Sequence, residues 1–329
     1  MRKTHLIFPW VCLLLASCIF GCNKQGQSAQ KKPRFAFVIN VPGRYWDIAH
    51  AGCLQAAHEE SAEVEFYVPG ESTAAQQKQI VEALVSRGID GLAISPLNPD
   101  SLARVLVDAG KYMPVICMDS DAPNSRRICY IGTDNVAAGR AMGQELKKAL
   151  PEGGEVALFV GQLDVGNARE RQQGILEALN ASNLKIVGTF TDGADRPTAK
   201  SNAADVLSKY PTLKGIIGLW GYNGPAAAKA LEDSPGRSVK IVAADEDIET
   251  LAAVREGKIV ASIVQQPYEF GYQSIKLLAK LHRKETVKIP ENKMIFVPIK
   301  IMERSNATEI ESFVNEKLAL RKTYLARSR

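Results

Sequence analysis

Side chains suited to holding a small ligand lie at or just past the C-terminal ends of predicted strands. They comprise two indoles, two carboxylates, a guanidinium and an amide, contributed by Trp46, Asp119, Arg169, Trp220, Asp245 and Gln265. In open α/β sheets, ligands bind outside the carboxyl ends of the strands. Indoles stack on the apolar faces of sugar rings, carboxylates accept hydrogen bonds from hydroxyls, and a guanidinium donates hydrogen bonds to them. The set therefore predicts a cleft for a hydroxyl-rich molecule.

The elements that position these side chains alternate between strand-like and helix-like segments. The first block places strands at 34–40, 64–68, 91–95 and 115–119, with helices at 47–60, 74–87 and 101–112. The second block places strands at 129–132, 155–160, 185–191, 215–220 and 240–244, with helices at 136–150, 168–181, 196–210 and 225–231. Strands separated by helices of this length predict right-handed parallel crossovers and doubly wound sheets. Two α/β units follow one another, and the segments 260–264, 268–281 and 294–301 could complete either unit.

The N-terminal segment predicts export from the cytoplasm. A basic start precedes a short apolar run that ends in Gly21, and Cys22 follows directly. This arrangement is typical of a secretory signal, and the apolar run is too short to span a bilayer as a mature helix. It resembles a lipoprotein signal occupying residues 1–22, in which Cys22 is lipidated and becomes the new N-terminus. An ordinary signal with a chance cysteine is the alternative. The polar residues 23–33 predict a flexible tether.

Composition limits the classes of protein that this chain can form. The 329 residues leave enough chain after export for two ordinary domains, and contents of 46% hydrophobic and 23% charged residues are globular values. The formal net charge is +5, but no basic helix with interleaved aromatics accompanies the surplus, so nucleic acid is not an expected partner. The basic stretch after Ser305 is expected to form a short helix that lies on a lobe.

Three cysteines remain after the signal, at Cys53, Cys117 and Cys129. Their apolar neighbours predict buried free thiols. A bridge between Cys117 and Cys129, on strands that could be neighbours, is the alternative. The cysteines and histidines have no partners at ligand spacing, so neither a metal site nor a cofactor is expected.

Six short motifs in a fixed order resemble one family. They are YW (45–46), MDSDAP (118–123), IGTDN (131–135), ARERQQG (168–174), AD (244–245) and SIVQQP (262–267). On these motifs, the chain from Arg34 to about Ile301 is similar to the periplasmic sugar-binding proteins of the ribose-binding type, which are solute receptors of ABC importers. The resemblance implies the periplasmic binding protein-like I fold, in which two doubly wound parallel-sheet lobes are joined by three crossover strands.

The resemblance also implies where the lobes begin and end. Residues 34–133 plus 266–292 are expected to form the N-lobe, and residues 134–265 plus 293–305 the C-lobe, followed by a helical tail at 306–329. The crossovers are then expected near Thr133, Gln265 and Asn292, where they would act as a hinge. A ligand that contacts both lobes would shift the equilibrium toward the closed state.

Each expected ligand residue has a structural alternative. Trp46, with Tyr45 beside it, would lie flat on a sugar ring or else anchor the first helix. Asp119 would accept from hydroxyls or cap a helix. The resemblance makes Arg169 the ligand arginine and sends Arg171 toward the hinge or toward the surroundings of Glu170.

The remaining expected contacts come from the second lobe and from departures from the ribose pattern. Asp245 and Gln265 match ligand positions of the family; the alternative for Asp245 is that it forms a group of solvated turn charges with Glu246 and Asp247. Trp220 replaces an asparagine of the ribose pattern and Ser120 an arginine. Ribose itself is therefore in doubt, and Asn98 is expected to compensate with polar contacts.

The expected function is an extracytoplasmic, lipid-anchored, monomeric receptor that captures a monosaccharide or polyol and delivers it to an ABC permease. A receptor that presents ligand to a membrane sensor or chemoreceptor is the closest alternative. A sugar-responsive repressor shares the architecture but begins with a helix-turn-helix, where this chain has an export signal. Asp119 and Asp245 could act as the acid/base pair of a glycosidase, but a binding cleft needs carboxylates anyway, so no enzyme is expected.

Overall fold

The computed structural model describes Met1 and residues 31–327, and the described residues from Lys32 onward form one compact unit. The predicted lipidation site at Cys22 and most of the predicted tether lie outside the described residues. Within the described residues, no helix has the length and apolar character needed to cross a membrane.

The first half of the chain alternates strands and helices. In order, these are β1 (Arg34–Val38), α1 (Arg44–Glu59), β2 (Glu63–Tyr67), α2 (Ala74–Ser86), β3 (Gly91–Ile94), α3 (Pro99–Ala109), β4 (Val115–Met118), a 3-10 turn (Pro123–Ser125) and β5 (Tyr130–Gly132). Local sequence explains several boundaries. The Thr73 side chain caps α2 by accepting from the Gln76 N–H, and Pro99 occupies the first turn of α3, where its missing N–H costs no helical bond.

The second half repeats this alternation and adds two short strands and a long helix. The elements are α4 (Asn135–Ala149), β6 (Gly154–Val160), α5 (Gly166–Leu179), β7 (Leu184–Thr191), α6 (Arg196–Lys209), β8 (Leu213–Gly218), α7 (Asn223–Glu232), β9 (Lys240–Ala244), α8 (Ile248–Arg255), β10 (Ala261–Val264), α9 (Pro267–His282), β11 (Met294–Phe296), β12 (Lys300–Met302) and α10 (Ala307–Arg327).

Within residues 31–327, two six-stranded sheets form two lobes. The order of the N-lobe sheet is β11-β5-β4-β3-β1-β2 and that of the C-lobe sheet is β12-β10-β9-β8-β6-β7. The strands are parallel except for β12, which pairs antiparallel with β10. The buried strands are apolar on both faces, as expected for sheets covered by helices on each side. The chain therefore has the predicted α/β architecture of two doubly wound lobes.

In the part of the chain that the structure describes, the backbone crosses between the lobes three times, after β5, after β10 and after β11. The third crossing differs from the prediction. It was expected near Asn292, with residues 293–305 in the C-lobe, but Met294, Ile295 and Phe296 pair with β5 in the N-lobe sheet. The chain leaves that sheet through Val297, Pro298 and Ile299, so the segment expected as one strand at 294–301 is two strands in two different sheets.

Each lobe contains a pair of helices that approach closely through glycines. A β carbon added at Gly139 of α4 would lie 2.0 Å from the carbonyl oxygen of Arg171 in α5, and one at Gly174 would lie 2.0 Å from that of Val136. In the N-lobe, a β carbon at Gly52 of α1 would lie 2.1 Å from the carbonyl oxygen of Tyr268 in α9. Any larger residue at these positions would force the helices apart.

The three described cysteines are free and buried, as predicted. Cys53 lies on the buried face of α1 and packs in the N-lobe core. Burial raises the pKa of the Cys117 thiol to about 12 and that of Cys129 to about 11. Because the thiolate is the reactive form, these groups are chemically inert near neutral pH.

The C-terminal helix α10 contacts both lobes and not one alone. Its first turns lie in the C-lobe core through Ala307 and Ile310. Farther along, Val314 packs with Ile48 and Tyr268 of the N-lobe. The helix is therefore anchored on both sides of the hinge.

The ion pairs of α10 also involve both lobes. Glu311 pairs with Arg255 of the C-lobe at 2.6 Å, and Arg321 pairs with Asp47 of the N-lobe at 3.1 Å. Lys317 lies 4.6 Å from the centre of the Tyr268 ring, within cation–π range.

A histidine beneath α10 predicts acid sensitivity. Burial, and secondarily the charge of Arg321, lowers the pKa of His50 from 6.5 to about 4. Between these values the unfolded chain binds a proton that the folded chain does not, so stability is complete above pH 6.5 and falls as the pH drops toward 4. We expect urea unfolding at several pH values to show this slope, and the His50→Gln variant to reduce it. An equal slope in both proteins would contradict the assignment.

Candidate functional site

A cavity of about 220 Å³ lies between the lobes at the carboxyl ends of the strands. Loops after β1, β3 and β4 line it from the N-lobe, and the start of α5 with the loops after β7, β8, β9 and β10 line it from the C-lobe. The volume lies below the ~300–1,000 Å³ of pockets for drug-sized ligands. The lobes touch beside the cavity, where Leu97 of the N-lobe packs with Val165 and Leu219 of the C-lobe. The space suits a small ligand held between the two lobes.

Asp119 and Asp245 occupy equivalent places in the two lobes. Asp119 follows β4, which is the fourth strand of the N-lobe in chain order. Asp245 follows β9, which is the fourth strand of the C-lobe. Both have left-handed backbone conformations, with φ of 62° and 58°. Residues other than glycine rarely adopt this conformation, and it concentrates at functional sites. The same strained turn thus aims one carboxylate into the cleft from each lobe.

The Asp119 carboxylate is held in place by neighbouring N-lobe side chains. Tyr45 donates its hydroxyl hydrogen to Oδ1 at 3.1 Å, Ser95 donates to Oδ2 at 2.8 Å, and Asn40 donates to Oδ2 at 3.4 Å. Burial raises the pKa of Asp119, while the hydrogen bond from Ser95 and the charge of Arg171 oppose that rise. Most of the acceptor capacity of Asp119 is therefore used to fix its orientation.

Arg171 is the arginine that the structure places in the cleft. Its side chain is buried, with Nε donating to Asn135 Oδ1 at 3.0 Å and Nη1 donating to the Leu219 carbonyl at 2.8 Å. Nη2 is shielded from solvent and has no protein partner. The guanidinium charge also acts on both Asp119 and Asp245. Arg171 thus combines a fixed orientation with a free donor and a positive charge.

The prediction that Arg169 binds the ligand is contradicted by its position. Arg169 is exposed, does not line the cavity, and donates from Nη1 to the Asp164 carbonyl at 2.6 Å. Two residues along an α-helix are separated by about 200°, so Arg169 and Arg171 point to opposite sides of α5.

Asn98 is the second expected contact that the structure does not bring to the cavity. Its Oδ1 accepts from the Ser101 N–H at 2.9 Å, which makes it the N-cap of α3. Leu97, one residue earlier, faces the cavity instead. Asn98 therefore does not replace the donor that is lost where Ser120 stands in place of an arginine.

The other expected residues line the cavity. They are Tyr45, Trp46, Asp119, Trp220, Asp245 and Gln265. Trp46 is only 5% exposed and packs edge-on against Tyr45 and Phe37, so most of its ring belongs to the N-lobe core. Trp220 is half-buried, and Gln265 donates from Nε2 to Asp245 Oδ1 at 3.0 Å.

Six polar side-chain atoms on the cavity wall are shielded from solvent and have no hydrogen-bond partner in the protein. Three are donors, on Arg44, Arg171 and Trp220, and three are acceptors, on Asn167, Glu246 and Gln265. Buried polar groups are nearly always paired, so such a concentration in one cavity indicates groups that a ligand completes. A molecule that both donates and accepts at several points, as adjacent hydroxyls do, matches this wall.

Sequence reasoning missed Arg44, Asn167 and Glu246. Glu246 adjoins Asp245 at the end of β9 and was interpreted only as a turn charge. Arg44 begins α1 and Asn167 lies in the first turn of α5. The signal available was their position at the starts of helices that follow strands on the ligand-binding edge.

Among the described residues, no group of three histidine, cysteine or acidic side chains is arranged to hold a metal ion.

Comparison with known proteins identifies the family of this chain. Residues 35–286 match the sequence profile of the periplasmic binding protein domain. The chain belongs to this family. Among its relatives, the D-ribose/D-allose-binding protein of Pseudomonas aeruginosa is 26% identical over 82% of this chain and 89% of its own. The ribose import binding protein of Salmonella typhimurium is 26% identical over 63% of this chain and 70% of its own.

A solved structure extends the comparison. The ABC transporter solute-binding protein of Burkholderia graminis, in complex with D-arabinose, is 32% identical and superposes with a TM-score of 0.80, covering 84% of this periplasmic binding protein and 96% of its own chain.

Proposed function

We propose that this periplasmic binding protein captures a monosaccharide, or a closely related polyol, and delivers it to an ABC importer. The observation that carries the proposal is the set of six unpartnered donors and acceptors on the wall of one cavity. The names of its relatives, which bind ribose, allose or arabinose, support the same class of ligand.

The mechanism is closure of the lobes around the ligand, without making or breaking a covalent bond. Arg44 and Asp119 approach from the N-lobe, whereas Arg171, Asp245 and Gln265 approach from the C-lobe or its crossover. A ligand can satisfy both groups only when the lobes meet, so its binding energy favours the closed state. In this arrangement Trp220 contributes an apolar face for the ring and its Nε1–H donates to a hydroxyl.

The protein would act outside the cytoplasmic membrane as a monomer, held there by a lipid on Cys22. The order of a basic start, a short apolar run and Gly21–Cys22 supports this localisation. Mass spectrometry of the mature protein would identify a diacylated N-terminal cysteine. A chain that begins at another residue would contradict the anchor and leave the cleft proposal standing.

Ligand binding is testable by thermal unfolding with a panel of pentoses, hexoses, their amino derivatives and polyols. A ligand at a hundred times its dissociation constant adds about 2.7 kcal/mol of stability, which corresponds to a shift of several degrees. We expect a subset of the panel to give such shifts, and chromatography to recover those ligands unchanged. If none of the compounds shifts the transition at millimolar concentration, the proposed function is wrong.

A further inference from the structure

Glu246 is a cavity-lining carboxylate that the protein leaves incompletely paired. Its side chain is 5% exposed and lines the cavity, and its Oε2 has no hydrogen-bond partner. Within residues 31–327, it forms no ion pair with any lysine, arginine or histidine, whereas its neighbour Asp247 pairs with Arg196 at 2.7 Å. A buried, unpartnered carboxylate oxygen is costly, and a ligand that donates to it removes that cost.

The surrounding charges show why the protein itself does not neutralise Glu246. Arg171 acts on both Asp119 and Asp245, so its single positive charge already faces two carboxylates. The positive charge of Arg44, on the opposite lobe, lowers the pKa of Glu246, but the two side chains form no ion pair. Burial, followed by the negative charge of Asp245, raises the pKa of Glu246 well above its ordinary value. The charged form of Glu246 is therefore costly in the cleft, and a positive charge placed beside it would lower that cost.

Building on the proposed function, we infer that the ligand is an amino-substituted monosaccharide whose protonated amine lies against Glu246 beside Asp245. An ammonium group offers three donors and a positive charge, so it can satisfy Oε2 and offset the repulsion between the two carboxylates at once. A hydroxyl at the same place offers one donor and leaves the charge uncompensated. Glu246 is then the residue that selects amino sugars over neutral ones.

Calorimetry with matched ligand pairs tests this inference on the wild-type protein. The probes are glucose, galactose and mannose, each compared with its 2-amino-2-deoxy derivative and with the N-acetylated form, which keeps the nitrogen but loses the charge. We expect at least one free amine to bind at least tenfold more tightly than both its parent sugar and its N-acetylated form.

Substitution assigns the preference to a residue. Glu246→Gln keeps the size of the side chain and removes its charge, so the free amine should lose its tenfold advantage over both the parent sugar and the N-acetylated form. Glu256→Gln is the matched control, because Glu256 caps the C-terminal end of α8, the helix that follows Glu246, is exposed, and lies outside the cavity. It should leave both affinities unchanged.

The outcomes separate this inference from the proposed function. Binding of neutral sugars, without any preference for the free amine, overturns the inference and leaves monosaccharide capture intact. A preference that persists in Glu246→Gln overturns the role of Glu246. Failure of every sugar to bind the wild-type protein overturns both.

Discussion

Replacing Arg171 with alanine is expected to weaken ligand binding at least a hundredfold, or about 2.8 kcal/mol at 1.4 kcal/mol per factor of ten. The variant loses the Nη2 donor that has no protein partner, and it removes the positive charge that acts on Asp119 and Asp245. Removing one partner from a buried group of charges leaves the others uncompensated, which costs more than the lost hydrogen bond alone. Titration calorimetry with the ligand found by the thermal panel measures the loss.

Arg169→Ala is the matched control for this experiment. It removes the same side chain two residues earlier in α5, but from an exposed position whose partner is the Asp164 carbonyl. Its affinity should equal that of the wild type. Comparable losses in the two variants, or a loss confined to Arg169→Ala, would show that the cleft arginine has been misassigned. Far-ultraviolet circular dichroism of both variants checks that they are folded.

Gly139→Ala is expected to destabilise the protein by roughly 3 kcal/mol, the upper end of the range for overpacked cores. The added β carbon would lie 2.0 Å from the carbonyl oxygen of Arg171. Because that atom belongs to the helix backbone, the overlap is relieved only by separating α4 from α5. The separation also moves Arg171, so ligand affinity should fall together with stability. Urea unfolding gives the change in free energy.

Gly166→Ala serves as the control for the glycine experiment. Gly166 begins α5, and a β carbon there would have no neighbour closer than the Ser120 Oγ at 3.7 Å, an ordinary contact. Stability should stay within about 0.5 kcal/mol of the wild type, or rise slightly, since alanine favours the helix. If Gly139→Ala were equally mild, the close approach of the helices would not matter for stability.

Four of the six expected residues that line the cavity follow strands. Asp119, Trp220 and Asp245 follow β4, β8 and β9, and Gln265 follows β10. The carboxyl ends of neighbouring parallel strands share one edge, so the position in sequence alone decides which way these residues face. The two-lobe architecture was predictable for the same reason, because strands and helices alternate through almost the whole chain.

Residues on helices were harder to assign. The choice between Arg169 and Arg171 depends on the rotation of α5 about its axis, which is set by the contact of Gly174 with α4. That contact lies between segments far apart in sequence. The prediction for Asn98 was wrong for a different reason. Its side chain caps α3, and asparagine before a helix that begins with proline is a typical N-cap.

The third crossover was misplaced because the two strands around it are only three residues each. Phe296 and Lys300 were read as parts of one strand, but Pro298 between them cannot donate a ladder hydrogen bond. This proline was a sequence signal for the break. Which sheet each short strand joins depends on the partners β5 and β10, and therefore on the tertiary fold.

Because α10 is attached to both lobes, it affects how tightly the protein binds its ligand. Any swing of one half away from the other must either strip contacts such as Lys317 on Tyr268 or bend the helix that carries them. The measured dissociation constant is the intrinsic one divided by the population of the competent conformation. The contacts of α10 with both lobes therefore contribute to the measured affinity, although they lie far from the bound sugar. Transplanting the cleft residues alone into a relative would transfer preference among ligands without transferring the strength of capture.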